Sequence, residues 1–160
     1  MALAATVVLA VGTTSVLWLQ FRQPQDVHVY LAKHLAHDGA DLMAHAAASA
    51  SAEDIQRTLA RFGVTAGPEH TERVRLIKFC PTPDGRGAHM VLNTGTGPVH
   101  LIYMPETPVT NGEEFGFDGM LTHLVTLEKG SAAIVGTEGQ QLDDLDRLVR
   151  DSIQPLPTRT

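Results

Sequence analysis

Eight histidines and a single cysteine are the groups of this 160-residue sequence best suited to chemistry. An imidazole binds transition metals and changes charge near neutrality, and a thiolate is both a metal ligand and a nucleophile. Three of the histidines fall in one stretch, YLAKHLAHDGADLMAH. At a helical step of 100° per residue, His34, His37, Asp38, Asp41 and His45 lie within an arc of roughly 100°, with Tyr30 on the same side. His34 and His37, three apart, can approach one cation together, while a carboxylate such as Asp38 orients an imidazole or ligates directly. The competing reading is a solvated polar face opposite the leucines.

A third and fourth ligand come from the strands. Pairing VRLIKFC with HMVLNT around the PTPDGRG turn is expected to set Cys80 opposite His89 on one sheet face. A helix packed over that face would bring His34, His37, Cys80 and His89 together, and Cys with His suits zinc or copper. Cys80 with His89 is also the one pair that could serve as thiol nucleophile and base, although no nucleophile elbow surrounds them. Gly95-Thr96-Gly97 precedes a strand and reads as a hairpin turn, not a phosphate loop. His28, His70, His100 and His123 have no nameable partner, and the last two read as packing or surface residues of strands.

The elements that must position these groups follow from pattern. Leu31, Leu35, Gly39, Leu42 and Ala46 recur at helical spacing and predict a long helix over 26–48. Ser51 as N-cap, Ile55, Leu59 and Phe62 as apolar stripe, and Gly63 past the end predict a short second helix. A polar connection is expected over Thr65 to Thr71. Thereafter the period becomes that of strands: VRLIKFC, HMVLNT, VHLIYM, then MLTHLVTLE and SAAIVG joined by a tight turn at Lys129-Gly130. Thr137 and Gln140 read as a capping box for a closing helix with Leu142, Leu145, Val149 and Ile153 on one face, stopped by Pro155 and Pro157. The expectation is an α+β fold: two helices, a mostly antiparallel sheet of about five strands, and a C-terminal helix.

Twelve Lys and Arg against eighteen Asp and Glu give a net charge of −6, which argues against nucleic acid as a partner. One cysteine rules out an internal disulfide framework. Every formal charge lies beyond Phe21. The apolar run before it reaches the roughly 20 residues that cross a bilayer as a helix, and Trp18 suits the interface. Residues 1–21 are therefore expected to span a membrane, in preference to a cleaved signal peptide, for which a basic start and an A-x-A site are missing. The expected division is a span at 1–21, a linker at 22–25, a folded domain at 26–154 and a disordered tail at 155–160. No Lys or Arg precedes the span to set its orientation, so a cytoplasmic segment is expected to belong upstream of Met1.

The stretch from His34 to Gly136 resembles an uncharacterised proteobacterial family of membrane-anchored proteins, domain of unknown function 3379. The resemblance rests on the His-x-x-His-acid run at His34, His37 and Asp38, the aromatic-Cys-Pro step at Cys80, AHMVLNTGTGPVHLIYMPE, and the closing AAIVG strand. It implies a single-pass inner-membrane protein with a periplasmic domain in an anti-sigma-like context, and it points to His34, His37, Cys80 and His89 as the polar positions to carry over. The sequence begins at the span, without the cytoplasmic part of that pattern. The functional expectation is a sensory or ligand-binding domain, metal-linked, and not an enzyme. The alternatives are an interaction module with an envelope protein as partner, or a thiol enzyme or redox protein using Cys80.

Overall fold

The computed structural model describes residues 26–45, 49–140 and 142–157. The chain enters helix α1 (Val27–His45) at Asp26, whose carboxylate accepts the backbone N–H groups of His28 at 2.8 Å and Val29 at 3.2 Å. These are donors that a helix start leaves without partners inside the helix. Helix α2 (Ala52–Ala60) begins as the sequence predicts: Ser51 Oγ accepts the Asp54 N–H at 3.1 Å, and Ile55 and Leu59 are fully buried. The expected polar connection is instead strand β1 (Val64–Ala66) and helix α3 (Pro68–Arg73). Proline at the start of α3 fits because its absent N–H would have gone unpaired there.

Six antiparallel strands form the main sheet: β2 (Val74–Thr82), β3 (Gly85–Thr94), β4 (Gly97–Met104), β5 (Glu114–Phe117), β6 (Met120–Thr126) and β7 (Ser131–Thr137). Their order across the sheet is β2-β3-β4-β7-β6-β5, two three-stranded meanders joined where β4 pairs with β7. Helix α4 (Asp143–Ser152) follows, and strand β8 (Ile153–Pro155) pairs with β1 in a two-stranded ribbon. The fold is α+β, as read from the sequence, with six strands in the sheet where about five were expected. The strand missed is β5, four residues with half-exposed Phe115 and Phe117, too short to show a period.

Three further expectations need correction. The Thr137–Gln140 pair does not cap α4; Gln140 Oε1 accepts the Thr137 N–H at 2.8 Å to close the turn after β7, and the helix begins at Asp143 with Leu142 in the N-cap position. Pro155 is not tail but the partner of Val64, because Ile153 is buried and holds the chain against β1. The PTPDGRG turn is shorter than its seven residues, since β2 runs to Thr82 and β3 starts at Gly85, leaving two residues between them.

Both faces of the sheet are covered. On one side α2, α3, α4 and the ribbon pack over Met90, Leu92, Leu101, Tyr103 and Ile134. On the other, α1 lays Tyr30, Leu31 and Leu35 over Cys80, Ile102, Met104, Ala133 and Val135. Strands β3, β4 and β7 are accordingly buried on both sides along most of their length, and a polar side chain there must find its partner inside the protein. Among the described residues no helix is long and apolar enough to cross a membrane; residues 1–21, read from sequence as a span, lie outside them.

Gly87 shows how close the strands come. A Cβ added there would overlap the carbonyl oxygen of Tyr103 and press on Thr82 Cγ2 at 2.7 Å. Backbone cannot move aside as a flexible side chain can. We expect Gly87→Ala to lower stability by at least about 2 kcal/mol, read as a fall in the urea midpoint with unchanged slope. An unaltered midpoint would contradict this packing of β3 on β4.

Candidate functional site

The antiparallel pattern places a residue of β3 on the same face as its direct partner in β4. The two-residue turn at Gly95-Thr96 fixes that register, with Val91 opposite His100 and His89 opposite Ile102. His89 and His100 are therefore diagonal neighbours on the α1 face. On α1, His34 falls in the seam with Leu31, Leu35 and Leu42, at i, i+3, i+4 and i+11, and points inward with them.

The result is a chain of three buried imidazoles. His34 Nε2 lies 3.0 Å from His89 Nδ1, and His89 Nε2 lies 2.9 Å from His100 Nδ1. Relative exposures are 9%, 0% and 2%, so water does not stand in for either contact. The outer end meets solvent through Asp38, whose carboxylate is 3.8 Å from His34 Nδ1 and accepts from Lys78 Nζ at 2.9 Å. The inner end, His100 Nε2, lies against the backbone of α1 at Gly39, where an added Cβ would be 3.7 Å away. Tyr30 stacks on His34 with ring centroids 5.4 Å apart and donates its hydroxyl to Pro81 O at 2.6 Å.

Burial sets the electrostatics. It pushes His89 down to about 2, helped by the neighbouring His100 and His34, and His100 down to about 4, helped by His34. His34 is also lowered by burial, against the pull of Asp38. Asp38 is held below the usual carboxylate range, chiefly by its hydrogen bond from Lys78. At neutral pH the chain is three neutral rings sharing protons beside a carboxylate–ammonium pair.

The four positions singled out by sequence separate into two groups. His34 and His89 meet. His37, with its side chain 90% exposed, points away from the sheet and reaches only Asp38, at 3.8 Å. Cys80 does not lie opposite His89: the tight turn at Pro83-Asp84 pairs Cys80 with Gly87 and His89 with Lys78. Cys80 instead sits beside the Tyr30 hydroxyl at 3.9 Å, and burial pushes its thiol up to about 11, which leaves roughly one part in ten thousand as thiolate at pH 7. Among the described residues no three His, Cys, Asp or Glu side chains are grouped to hold a metal ion. The member that sequence reasoning missed is His100. Its signal was the hairpin register at Gly95-Thr96, which alone places it beside His89.

The other histidines read as partnerless are resolved differently. His28 pairs with Glu113 at 2.9 Å and stacks on Phe115 at 4.0 Å, tying the start of α1 to the β5 edge. His123, on the opposite face, has Nδ1 3.0 Å from Glu114 and Nε2 3.7 Å from Asp146, which is itself clamped by Arg150. His70 is fully buried with neither ring nitrogen bonded, and burial lowers it to about 4. A cleft of about 340 Å³ between α3, α4 and the β3–β4 turn is lined by Glu69, Arg73, Thr96 and Asp144 among others. None of the three chain histidines lines it.

Two outcomes follow for stability. His34, His70, His89 and His100 are all harder to protonate folded than unfolded, so acid below about 6.5 favours the unfolded chain. We expect the urea midpoint to be flat from pH 8 to 7 and to fall from 6.5 to 4.5, each histidine contributing about 1.4 kcal/mol per pH unit while its folded form stays neutral. A midpoint that rises on acidification would contradict the burial of these rings as neutral groups. His70→Leu removes an unsatisfied imidazole of similar volume, and we expect a gain of about 1 kcal/mol at pH 7 with a shallower acid slope. A loss would show that His70 has a partner.

Comparison with curated proteins and with solved structures gives no match in either case. A family model described as protein of unknown function (DUF3379) matches residues 1–153, nearly the whole length, and the chain belongs to that family.

Proposed function

We propose that the chain is a membrane-anchored envelope protein whose folded part is a sensory domain on the periplasmic side of the inner membrane, part of an anti-sigma-like regulator, and that α1 carries its signal. The observation behind this reading is the way α1 is held. It is the first described helix after the charge-free segment of residues 1–21, and polar contacts along its length fix it to two different strands and a loop. His28 reaches Glu113, Tyr30 reaches Pro81, His34 reaches His89 and Asp38 reaches Lys78. Such contacts are directional and sensitive to charge, so a stimulus that alters them alters how the helix leading to the apolar segment sits on the domain.

Zinc or copper bound by His34, His37, Cys80 and His89 is a poorer account of the stimulus, since His37 points to solvent and Cys80, though on the same sheet face, sits beside the Tyr30 hydroxyl and not in a group with the two buried rings. A thiol enzyme using Cys80 is poorer still, given the buried and protonated sulfur. The alternative of an interaction module draws support from one feature. Phe79 is 38% exposed and has the guanidinium groups of Arg61 and Arg86 over its ring at 5.7 Å and 5.5 Å, a combination common at protein contacts.

The reading is tested by locating the full chain in a Gram-negative host. We expect it in the membrane fraction after alkaline carbonate washing, released by deletion of residues 1–21, with a C-terminal alkaline phosphatase fusion active and a C-terminal green fluorescent protein fusion dark. Recovery of the intact chain in the detergent-free soluble fraction would overturn it.

A further inference from the structure

We propose that the His34–His89–His100 chain is a proton-counting latch: it accepts one proton with every contact intact and releases α1 when a second arrives. The inference rests on the reading of α1 as the signalling element and names its stimulus, the proton.

The argument is one of counting donors. Three neutral imidazoles carry three ring protons. The two contacts, at 3.0 Å and 2.9 Å, each need one shared proton. The third occupies an end of the chain, either His34 Nδ1 toward Asp38 or His100 Nε2 toward Gly39. One added proton fills the other end, and each contact still has one donor and one acceptor. A second added proton has no free nitrogen left except inside a contact, where N–H would then face N–H at hydrogen-bond distance. That contact must open.

The fold decides which contact opens. His89 and His100 stand on adjacent strands joined by the β3–β4 ladder from Ala88 to Thr94, and backbone bonds keep them together. His34 and His89 are joined across helix and sheet, where side chains alone hold the two elements. The His34–His89 contact is therefore the one that gives, and α1 moves with it.

Among the described residues, Asp38 is the carboxylate set beside the chain, at 3.8 Å from His34 Nδ1, and it is shared with Lys78. From α1, Tyr30 and Asp38 face the chain, with His37 in solvent beyond Asp38; from β2, Lys78 and Cys80 do; β7 presents Ala133 and Val135, which bear no charge. Asp38 and Lys78 cancel, and Asp38 is the carboxylate nearest to His34 Nδ1. The lowering of His89 and His100 by burial agrees with a first proton shared toward the Asp38 end.

The test uses the full chain in detergent, with hydrogen–deuterium exchange of residues 27–45 followed from pH 7.5 to 3.5 and referred to unstructured-peptide rates at each pH. Nitrogen-15 imidazole NMR counts the protons taken up. We expect α1 to keep its protection through uptake of the first proton and to lose at least about tenfold on the second, while β3, β4 and β7 stay protected. His89→Gln, which keeps polar groups at the centre but does not titrate, is expected to remove the pH response of α1. Should that variant fail to fold, Asp38→Asn serves: its release is expected about one pH unit lower, because the carboxylate that favours the first proton is gone while Lys78 remains. Loss of α1 protection only together with β3 and β4, or protection unchanged down to pH 3.5, would overturn the latch. Release on the second proton in a chain that does not fractionate with membranes upholds the latch and removes the sensory reading. Membrane attachment without release does the reverse.

Discussion

A sheet covered on both faces has no water to offer its polar side chains, and this constraint shapes the whole molecule. Strands β3, β4 and β7 are buried on each side, yet β3 and β4 carry a histidine each on the α1 face. An imidazole left without a partner in such a place costs about 1–3 kcal/mol. The fold meets the cost by bringing the two rings within hydrogen-bond distance of each other and of a third ring on α1. Helix α1 is thus both the lid that excludes water and the source of the partner that makes exclusion tolerable. His70, buried on the other side of the molecule with neither nitrogen bonded, shows what the alternative looks like.

Most of the architecture was legible because its signals are local. Ser51 before an apolar stripe and the leucine seam of α1 each specify an element from a few adjacent residues, and each stands where it was read; the tight turn expected at Lys129-Gly130 falls one residue earlier, with Leu127 paired to Gly130 around Glu128-Lys129. The errors came where local signals compete. Thr137 and Gln140 have the chemistry of a capping box, but the same side-chain-to-backbone bond closes a turn equally well, and only the position of Leu142 against the core decides between them. Strands β1, β5 and β8 have three or four residues each, too few for an alternation to declare itself, and they exist because partners remote in sequence supply their hydrogen bonds.

The site was half legible for a related reason. His34 was noticed for its spacing to His37 and Asp38, but the seam of Leu31, Leu35 and Leu42 turns it inward while His37, about 60° round the helix, stays in water. In a fully buried strand every side chain is enclosed, so the pattern around His89 and His100 says nothing about which face either occupies. Register carries that information, and register depends on turn length and position. Placing Cys80 opposite His89 requires the two-residue turn to fall one residue later, at Asp84-Gly85, than at Pro83-Asp84 where it forms. The same arithmetic at Gly95-Thr96 puts His100 beside His89, and it was available from the sequence once that turn was taken as two residues.

For a family known only as proteins of unknown function, the consequence is a specific object to study: three rings, two shared protons, one helix. The most direct measurement is the scalar coupling between ring nitrogens across the shared hydrogen bonds, in nitrogen-15 histidine-labelled full chain at pH 7.5. The account predicts two such couplings, linking His34 Nε2 to His89 Nδ1 and His89 Nε2 to His100 Nδ1, with all three rings neutral. Three histidines that titrate independently near 6.5, with no coupling between them, would contradict it.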